Sequence, residues 1–131
     1  MQTREQKYAE SAYNQIYEIY ANGKDYHTKY GSLAHKLPIL VRQAGLAQSL
    51  AFAATRKPAA QKMLLEHLAA TVMDDDFGEL LKQSRELPLL EYMRLSDDVM
   101  LALTWYKRYV QSVLGVDATV NDEEVGNNEQ T

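Results

Sequence analysis

Apolar side chains recur along most of this 131-residue chain at intervals of three and four, the spacing that puts them on one face of an α-helix. Leucine and alanine dominate the apolar set, and the chain has only three prolines. Valine, isoleucine and threonine, which favour strands, are scattered rather than clustered. The pattern predicts an all-α protein, a single compact bundle of about five to six helices.

Breaks in this pattern predict the helix boundaries in the first third of the chain. A first helix should span residues 3–20 and stop at Asn22-Gly23. A second should begin near residues 28–32. Pro38 lies inside the apolar stripe of this second helix, where it removes a backbone donor and clashes with the preceding turn. We therefore expect a kink or a restart at Pro38.

The rest of the chain predicts several further helices. A third helix, over residues 46–55, is nearly all apolar, which is typical of a helix that is central or buried against another subunit. The later elements are a fourth helix over 58–73, a short turn capped by Asp76, a short helix over 88–94, and a last long helix from a Ser96 cap to Gly115.

The end of the chain has a different composition. Residues 116–131 contain five acids and no cation, which predicts a disordered tail because such a segment cannot offset its ordering entropy. The domain boundaries that follow are a helical domain over residues 1–115 and a flexible acidic tail over residues 116–131. We expect the tail to be dispensable for folding.

Residue types and motifs argue against a catalytic or metal site. The chain has no cysteine, so it can form neither a disulfide nor a thiolate metal site. His27, His35 and His67 follow no ligand or catalytic spacing, and we interpret each as solvated or partly packed. No HExxH, P-loop or GxGxxG motif occurs. The sequence predicts a protein that is not an enzyme, with no catalytic residues, no metal and no cofactor.

The N-terminal residues contain no apolar signal core, and no apolar run approaches the roughly 18 residues of a membrane span. We therefore expect a cytoplasmic protein with no membrane partner.

Charge is segregated along the chain. The whole protein carries a formal charge of −4, but residues 24–62 contain seven cations and one acid, a formal charge of +6. Residues 63–98 contain nine acids and three cations, a formal charge of −6. The basic stretch indicates an anionic partner, and nucleic acid is the first candidate. A molecule with one basic and one acidic region could also stack on copies of itself. The alternative is that both stretches are ordinary solvated faces.

Three segments together resemble a known family. They are Lys36 to Leu46 (KLPILVRQAGL), Ala51-Phe52 leading to Arg56-Lys57, and Trp105 to Tyr109 (WYKRY). In this order and spacing they resemble the small helical subunit of the type III-B CRISPR effector, the Cmr complex. The resemblance covers roughly residues 8–114. Ala44 departs from the pattern, since a polar residue is expected before Gly45-Leu46.

The resemblance implies a non-catalytic role in a ribonucleoprotein. Similar proteins stack in a few copies beside a guide RNA and its target RNA, opposite the backbone ribonuclease subunits and in company with a large subunit. Contacts would go to phosphates, because guide pairing supplies the sequence recognition. The residues carried over by motif are Lys36, Arg42, Arg56, Lys57, Lys107 and Arg108. Lys29 and Lys62 are added as nucleic-acid-binding candidates on charge alone.

Other interpretations of the same residues remain open. Trp105 can be a core anchor or, alternatively, a platform for base stacking. The protein can be a protein-only helical adaptor, in which the basic stretch docks an acidic protein and the apolar third helix binds a partner helix. It can also be a general binder of single strands outside CRISPR.

Overall fold

The computed structural model describes residues 1–119, and in that part of the chain every regular element is helical. This confirms the all-α prediction. The six α-helices are α1 (Arg4–Ile19), α2 (Lys24–Ala44), α3 (Leu46–Ala53), α4 (Ala59–Met73), α5 (Phe77–Glu86) and α6 (Leu89–Ser112), with one 3₁₀ turn at Tyr20–Asn22. None of the helices between residues 1 and 119 is both long and apolar enough to cross a membrane.

Helix α2 begins earlier than the sequence pattern predicted and does not restart at Pro38. It begins at Lys24, where the Asp25 carboxylate lies 3.1 Å from Lys29 Nζ one turn later. Such local polar pairs stabilise a first turn that has little apolar periodicity. The helix continues through Pro38 because Leu37 and Val41 on either side of it are buried, so packing offsets the lost backbone hydrogen bond.

Helix α6 is also longer than expected. Residues 88–94 and the predicted last helix form one helix, with Pro88 at its N-cap and Ser96 in its interior. Leu95 and Val99 are both buried in the core beside Ser96. Burial of this apolar stripe favours helix continuation over the local capping preference of serine.

The short turn predicted at Asp76 is instead the ten-residue helix α5. Asp76 caps it, since its carboxylate accepts a hydrogen bond of 2.8 Å from the backbone N–H of Glu79. The preceding helix ends at Asp74, which adopts a left-handed backbone conformation with φ of 55°. The capping signal was interpreted correctly, and only the length of the helix was underestimated.

The core lies between α6 and the helices that surround it. Helices α1 and α2 both pack along α6, and α4 closes the bundle against α1, α2 and α6. Tyr106, which is fully buried on α6, places its hydroxyl within hydrogen-bonding distance of Gln15 Oε1, Thr71 Oγ1 and the His67 carbonyl. One hydroxyl therefore links α6 to α1 and α4.

Helix α3 is buried on one side only. Leu46, Leu50 and Ala53 are buried, whereas Phe52 on the other side is 44% exposed. Within residues 1–119, the nearly all-apolar sequence of α3 therefore gives a half-exposed helix rather than a central one.

The segment after α6 returns to the bundle at its first residue beyond Gly115. Val116 is buried and packs over Gly31 of α2. Val116, which the sequence analysis assigned to the flexible tail, therefore packs against the helical domain. From residue 120 onward, the predicted disordered tail lies outside the described part of the structure.

Candidate nucleic-acid interface

Four of the eight predicted nucleic-acid-binding residues lie together on one side of the bundle. Lys36 and Arg42 come from α2, and Lys107 and Arg108 come from α6. They line two adjoining clefts, and we call these four residues the cation face. The convergence brings side chains from the first and last thirds of the chain to one surface.

The helical spacing explains why the cation face forms. In α2, Ser32, His35, Lys36 and Ile39 are spaced at i, i+3, i+4 and i+7, and all four line the first cleft. Such spacing puts them on one stripe of the helix. Because α2 packs along α6, a stripe on one helix can face a stripe on the other.

Helix α6 presents a stripe with the same spacing. Thr104, Lys107, Arg108 and Gln111 all line the second cleft. Lys107 lines both clefts, so the two adjoin. Their volumes are about 290 Å³ and 260 Å³, and their described lining residues include no aspartate or glutamate. Four cations therefore surround two adjoining clefts.

Trp105 lies beneath the edge of this face. The guanidinium carbon of Arg108 lies 5.6 Å from the centroid of the Trp105 ring, which is cation–π geometry. On its other side Trp105 stacks on Tyr109, with centroids 5.7 Å apart, and Tyr109 meets Tyr13 of α1 edge-on. The Trp105 ring is partly buried and packs against the core, as the core-anchor interpretation required.

The other four predicted residues lie away from the cation face. Gln61 joins two of them, because its amide donates to the Lys29 carbonyl oxygen at 3.0 Å and accepts from Arg56 Nε at 2.8 Å. Lys62 lines a separate cleft that also contains Glu66. Lys57 is exposed next to Arg56.

Lys29 lies near the start of α2, seven residues or about 10 Å along the helix axis before Lys36, and it lines neither cleft. The structure therefore does not bring all eight candidates together. It separates the four on the cation face from a second group whose members Lys29 and Arg56 make local structural contacts.

The three histidines all make structural contacts. His27 Nε2 lies 2.9 Å from the carbonyl oxygen of Tyr20, at the end of α1. His35 is buried rather than solvated, and its Nε2 lies 2.9 Å from the carbonyl oxygen of Val116. His67 Nδ1 lies 2.9 Å from the Tyr30 hydroxyl, and burial lowers the pKa of His67 from 6.5 to about 4. No group of three or more potential metal ligands occurs among residues 1–119.

Some lining residues of the clefts were missed by the sequence analysis. Ser32, Thr104, Gln111 and Thr119 are polar residues at the rim of the cation face. The spacing of Thr104 and Gln111 from Lys107 could have identified them, because all three share one helical stripe. Thr119 carried no such signal, since its position depends on how the chain returns after α6.

Comparison with known proteins agrees with the fold and with the sequence resemblance. The family model of the CRISPR-associated protein Cas_Cmr5 matches residues 4–113. The chain is 42% identical over 114 residues to the CRISPR system Cmr subunit Cmr5 of Thermus thermophilus, and this match covers 87% of the chain and 98% of that relative.

A solved structure is similar as well. The crystal structure of a CRISPR-associated Cmr5 family protein from Thermus thermophilus superposes with a TM-score of 0.81 at 42% sequence identity, covering 87% of this chain and 99% of that one. The resemblance to the small helical subunit of the Cmr effector is thereby confirmed. The chain is a member of the Cas_Cmr5 family of CRISPR-associated proteins.

Proposed function

We propose that this protein is the non-catalytic small subunit of a type III-B Cmr ribonucleoprotein effector, and that its cation face contacts the phosphate backbone of the guide and target RNA. The observation that carries the proposal is the convergence of Lys36, Arg42, Lys107 and Arg108 around two adjoining clefts. The membership of the family and the name of the Thermus relative, a subunit of the CRISPR system Cmr, support the assembly.

Phosphate contact fits the chemistry of the cation face. Lysine and arginine bind phosphate oxygens without reading the bases, and such contacts position a protein on a nucleic acid. In an RNA-guided complex, base pairing supplies the sequence recognition, so each subunit needs only to hold the backbone.

The partners follow from this assignment. They are the other subunits of the Cmr complex, further copies of this chain in a stack, and the two RNA strands. A single copy offers few phosphate contacts, so stacking several copies along one RNA would raise the total affinity by multivalency. The role of such a complex is the capture of target RNA in antiviral defence.

A non-catalytic role is consistent with the contacts of the histidines. His27, His35 and His67 each bond to the backbone or to a buried tyrosine. These contacts give each ring a structural role. Metal-dependent RNA cleavage by a pure preparation, lost when one acidic cluster is substituted, would contradict this part of the proposal.

A matched pair of charge reversals tests the RNA contact. Arg42→Glu with Arg108→Glu alters two exposed residues of the cation face, and Lys82→Glu with Arg85→Glu makes the same charge change on α5. In the assembled complex, the first pair should weaken capture of target RNA and flatten the dependence of affinity on salt by about 0.7 to 0.9 units per lost contact in each copy. The control pair should leave both unchanged.

Two other outcomes of this experiment would have different meanings. If the Arg42→Glu, Arg108→Glu protein assembles and captures target normally at every salt concentration, the cation face does not contact RNA. If the same protein no longer binds the protein subunits of the complex when guide and target RNA are both absent, the face docks an acidic protein, as the adaptor interpretation requires. Arg56→Gln with Lys57→Gln, measured in parallel, tests whether the second group of cations contributes to the capture of target RNA.

A further inference from the structure

The chain leaves the bundle beside the cation face. The Val116 N–H donates to the Val110 carbonyl at 2.8 Å, and the Val116 carbonyl accepts from His35 Nε2 at 2.9 Å. Two hydrogen bonds and a buried side chain thus fix the position of the backbone where it leaves α6. Two and three residues further on, Ala118 and Thr119 line the first cleft together with Lys36 and Lys107.

The residues that follow have the opposite charge to this face. Residues 120–131 contain Asp122, Glu123, Glu124 and Glu129, and no lysine or arginine. Within residues 1–119, neither Arg42 nor Lys107 lies within ion-pairing distance of an acid. The acidic segment therefore follows Thr119, which lines the same cleft as Lys107, a cation that pairs with no acid among residues 1–119.

The length of the segment is sufficient to reach the whole face. Twelve residues span at most about 40 Å when fully extended. Lys36 and Arg42 are six residues apart in α2, about 9 Å along the helix axis. Because the segment is attached at the rim of the first cleft, its effective concentration at the face is about millimolar, as is typical of short intramolecular connections.

We infer that the acidic C-terminal segment, residues 120–131, docks on the cation face of its own chain, so that an RNA backbone must displace it in order to bind. Charge complementarity and the fixed exit at Val116 support this occupant. Contacts between exposed charges are individually weak, and salt screens them. RNA can therefore displace the segment, and the fraction of the time that the segment is docked falls as the ionic strength rises.

The consequence for RNA binding rests on the proposed function. A site that is free for only part of the time binds with an affinity reduced by that fraction. If the segment covers the face for about four-fifths of the time, the apparent affinity for RNA falls about fivefold. The same factor applies to every RNA, so the segment raises the RNA concentration that capture requires.

The composition of the chain allows a direct measurement of docking. The protein has one tryptophan, Trp105, which lies beside Arg108 at the cation face, and it has no cysteine. Asn128→Cys therefore provides a unique site for a dansyl acceptor. Energy transfer from Trp105, referenced to the unlabelled form of each variant, should be high at low salt and fall by at least half as salt is raised.

Three variants of the labelled protein define the result. Neutralising the segment with Asp122→Asn, Glu123→Gln, Glu124→Gln and Glu129→Gln should give low transfer that does not depend on salt. Arg42→Glu with Lys107→Glu should have the same effect, whereas Lys82→Glu with Arg85→Glu should leave transfer as in the parent. Equal transfer in all of these variants would overturn the inference. Transfer that disappears on dilution would also overturn it, by assigning the segment to a second copy of the chain.

A separate measurement addresses the competition with RNA. Truncation after Thr119 removes the acidic segment and keeps Val116, and in the assembled complex it should raise target affinity about fivefold at low salt and not at high salt. If energy transfer shows docking but truncation leaves RNA affinity unchanged, the segment docks on a surface that RNA does not use. That result would contradict the proposed RNA contact and leave the docking itself established.

Discussion

His35 Nε2 lies 2.9 Å from the carbonyl oxygen of Val116, a residue 81 positions later in the chain. A carbonyl oxygen can only accept, so His35 donates this bond and carries a proton on Nε2. The side chain of Val116 packs over Gly31, one turn before His35 in α2. A helix near the start of the chain therefore holds the segment that follows the last helix.

Two truncations should separate the contribution of Val116 from that of the acidic segment. At high salt, where docking of the acidic segment is screened, ending the chain after Thr119 should leave the melting temperature nearly unchanged, because the Val116 contacts remain. Ending it after Gly115 should lower the free energy of unfolding by about 1 to 2 kcal/mol, since a buried valine and its hydrogen bond with His35 are lost. Thermal and urea unfolding of both proteins measure the difference, and equal stability would show that Val116 contributes nothing to the fold.

The effect of Gly31→Ala on the free energy of unfolding should have opposite signs in the full chain and in the chain that ends after Gly115. A Cβ at position 31 would lie 2.6 Å from Val116 Cγ1, so the substitution must displace Val116 in the full chain and should be destabilising. In the chain that ends after Gly115 the obstacle is absent, and alanine should stabilise α2 by about 0.5 to 1 kcal/mol through its higher helix propensity. Destabilisation of similar size in both backgrounds would mean that another neighbour opposes the Cβ.

Stability should fall in acid through His67. Burial lowers the pKa of His67 to about 4 in the folded protein, below its ordinary value of 6.5. The unfolded chain therefore binds the proton first, and the free energy of unfolding decreases as the pH falls from 6.5 to 4. We expect a loss of about 1 to 2 kcal/mol, allowing for the partial solvent exposure of the ring.

His67→Gln is the control for this pH effect. Glutamine can still accept a hydrogen bond from the Tyr30 hydroxyl but does not titrate. The difference in unfolding free energy between the parent and His67→Gln should therefore vary between pH 7 and pH 4. A difference that stays constant over this range would rule out His67 as the titrating group.

Substitutions of Trp105 should show that its ring stabilises the protein by packing against the core, whereas its indole N–H contributes no hydrogen bond. Trp105→Ala should cost about 2 to 3 kcal/mol, less than a fully buried aromatic residue, because the ring is only partly buried. Trp105→Phe should cost less than about 1 kcal/mol, since Nε1 is buried without a hydrogen-bond partner among the described residues. Urea unfolding measures both, and a larger loss for phenylalanine would reveal a partner for the indole N–H.

The sequence by itself determined the fold class and much of the helix order, and its three motif segments identified the family. These features depend on local information. Apolar spacing at three and four selects a helix, Gly45 separates α2 from α3, and Asp76 caps α5 through its own side chain.

Local signals failed where burial opposed them. Pro38 and Ser96 both suggested a break, but each lies in a helix whose neighbouring apolar residues are buried on both sides. The free energy gained from packing a continuous apolar stripe exceeds the local conformational preference of one residue. A prediction made from one short segment of sequence does not include that gain.

Only the tertiary structure decided which cations lie on one face and where the chain packs after the last helix. The sequence offered eight lysines and arginines, six by motif and two on charge alone, without indicating which of them lie together. The packing of α2 along α6 brings four of them to one face and leaves Lys29 and Arg56 in a separate contact through Gln61. The same packing places His35 and Gly31 where Val116 returns to the bundle. Such contacts join residues far apart in the chain, and their free energy depends on the mutual position of whole helices, which no local pattern of residues specifies.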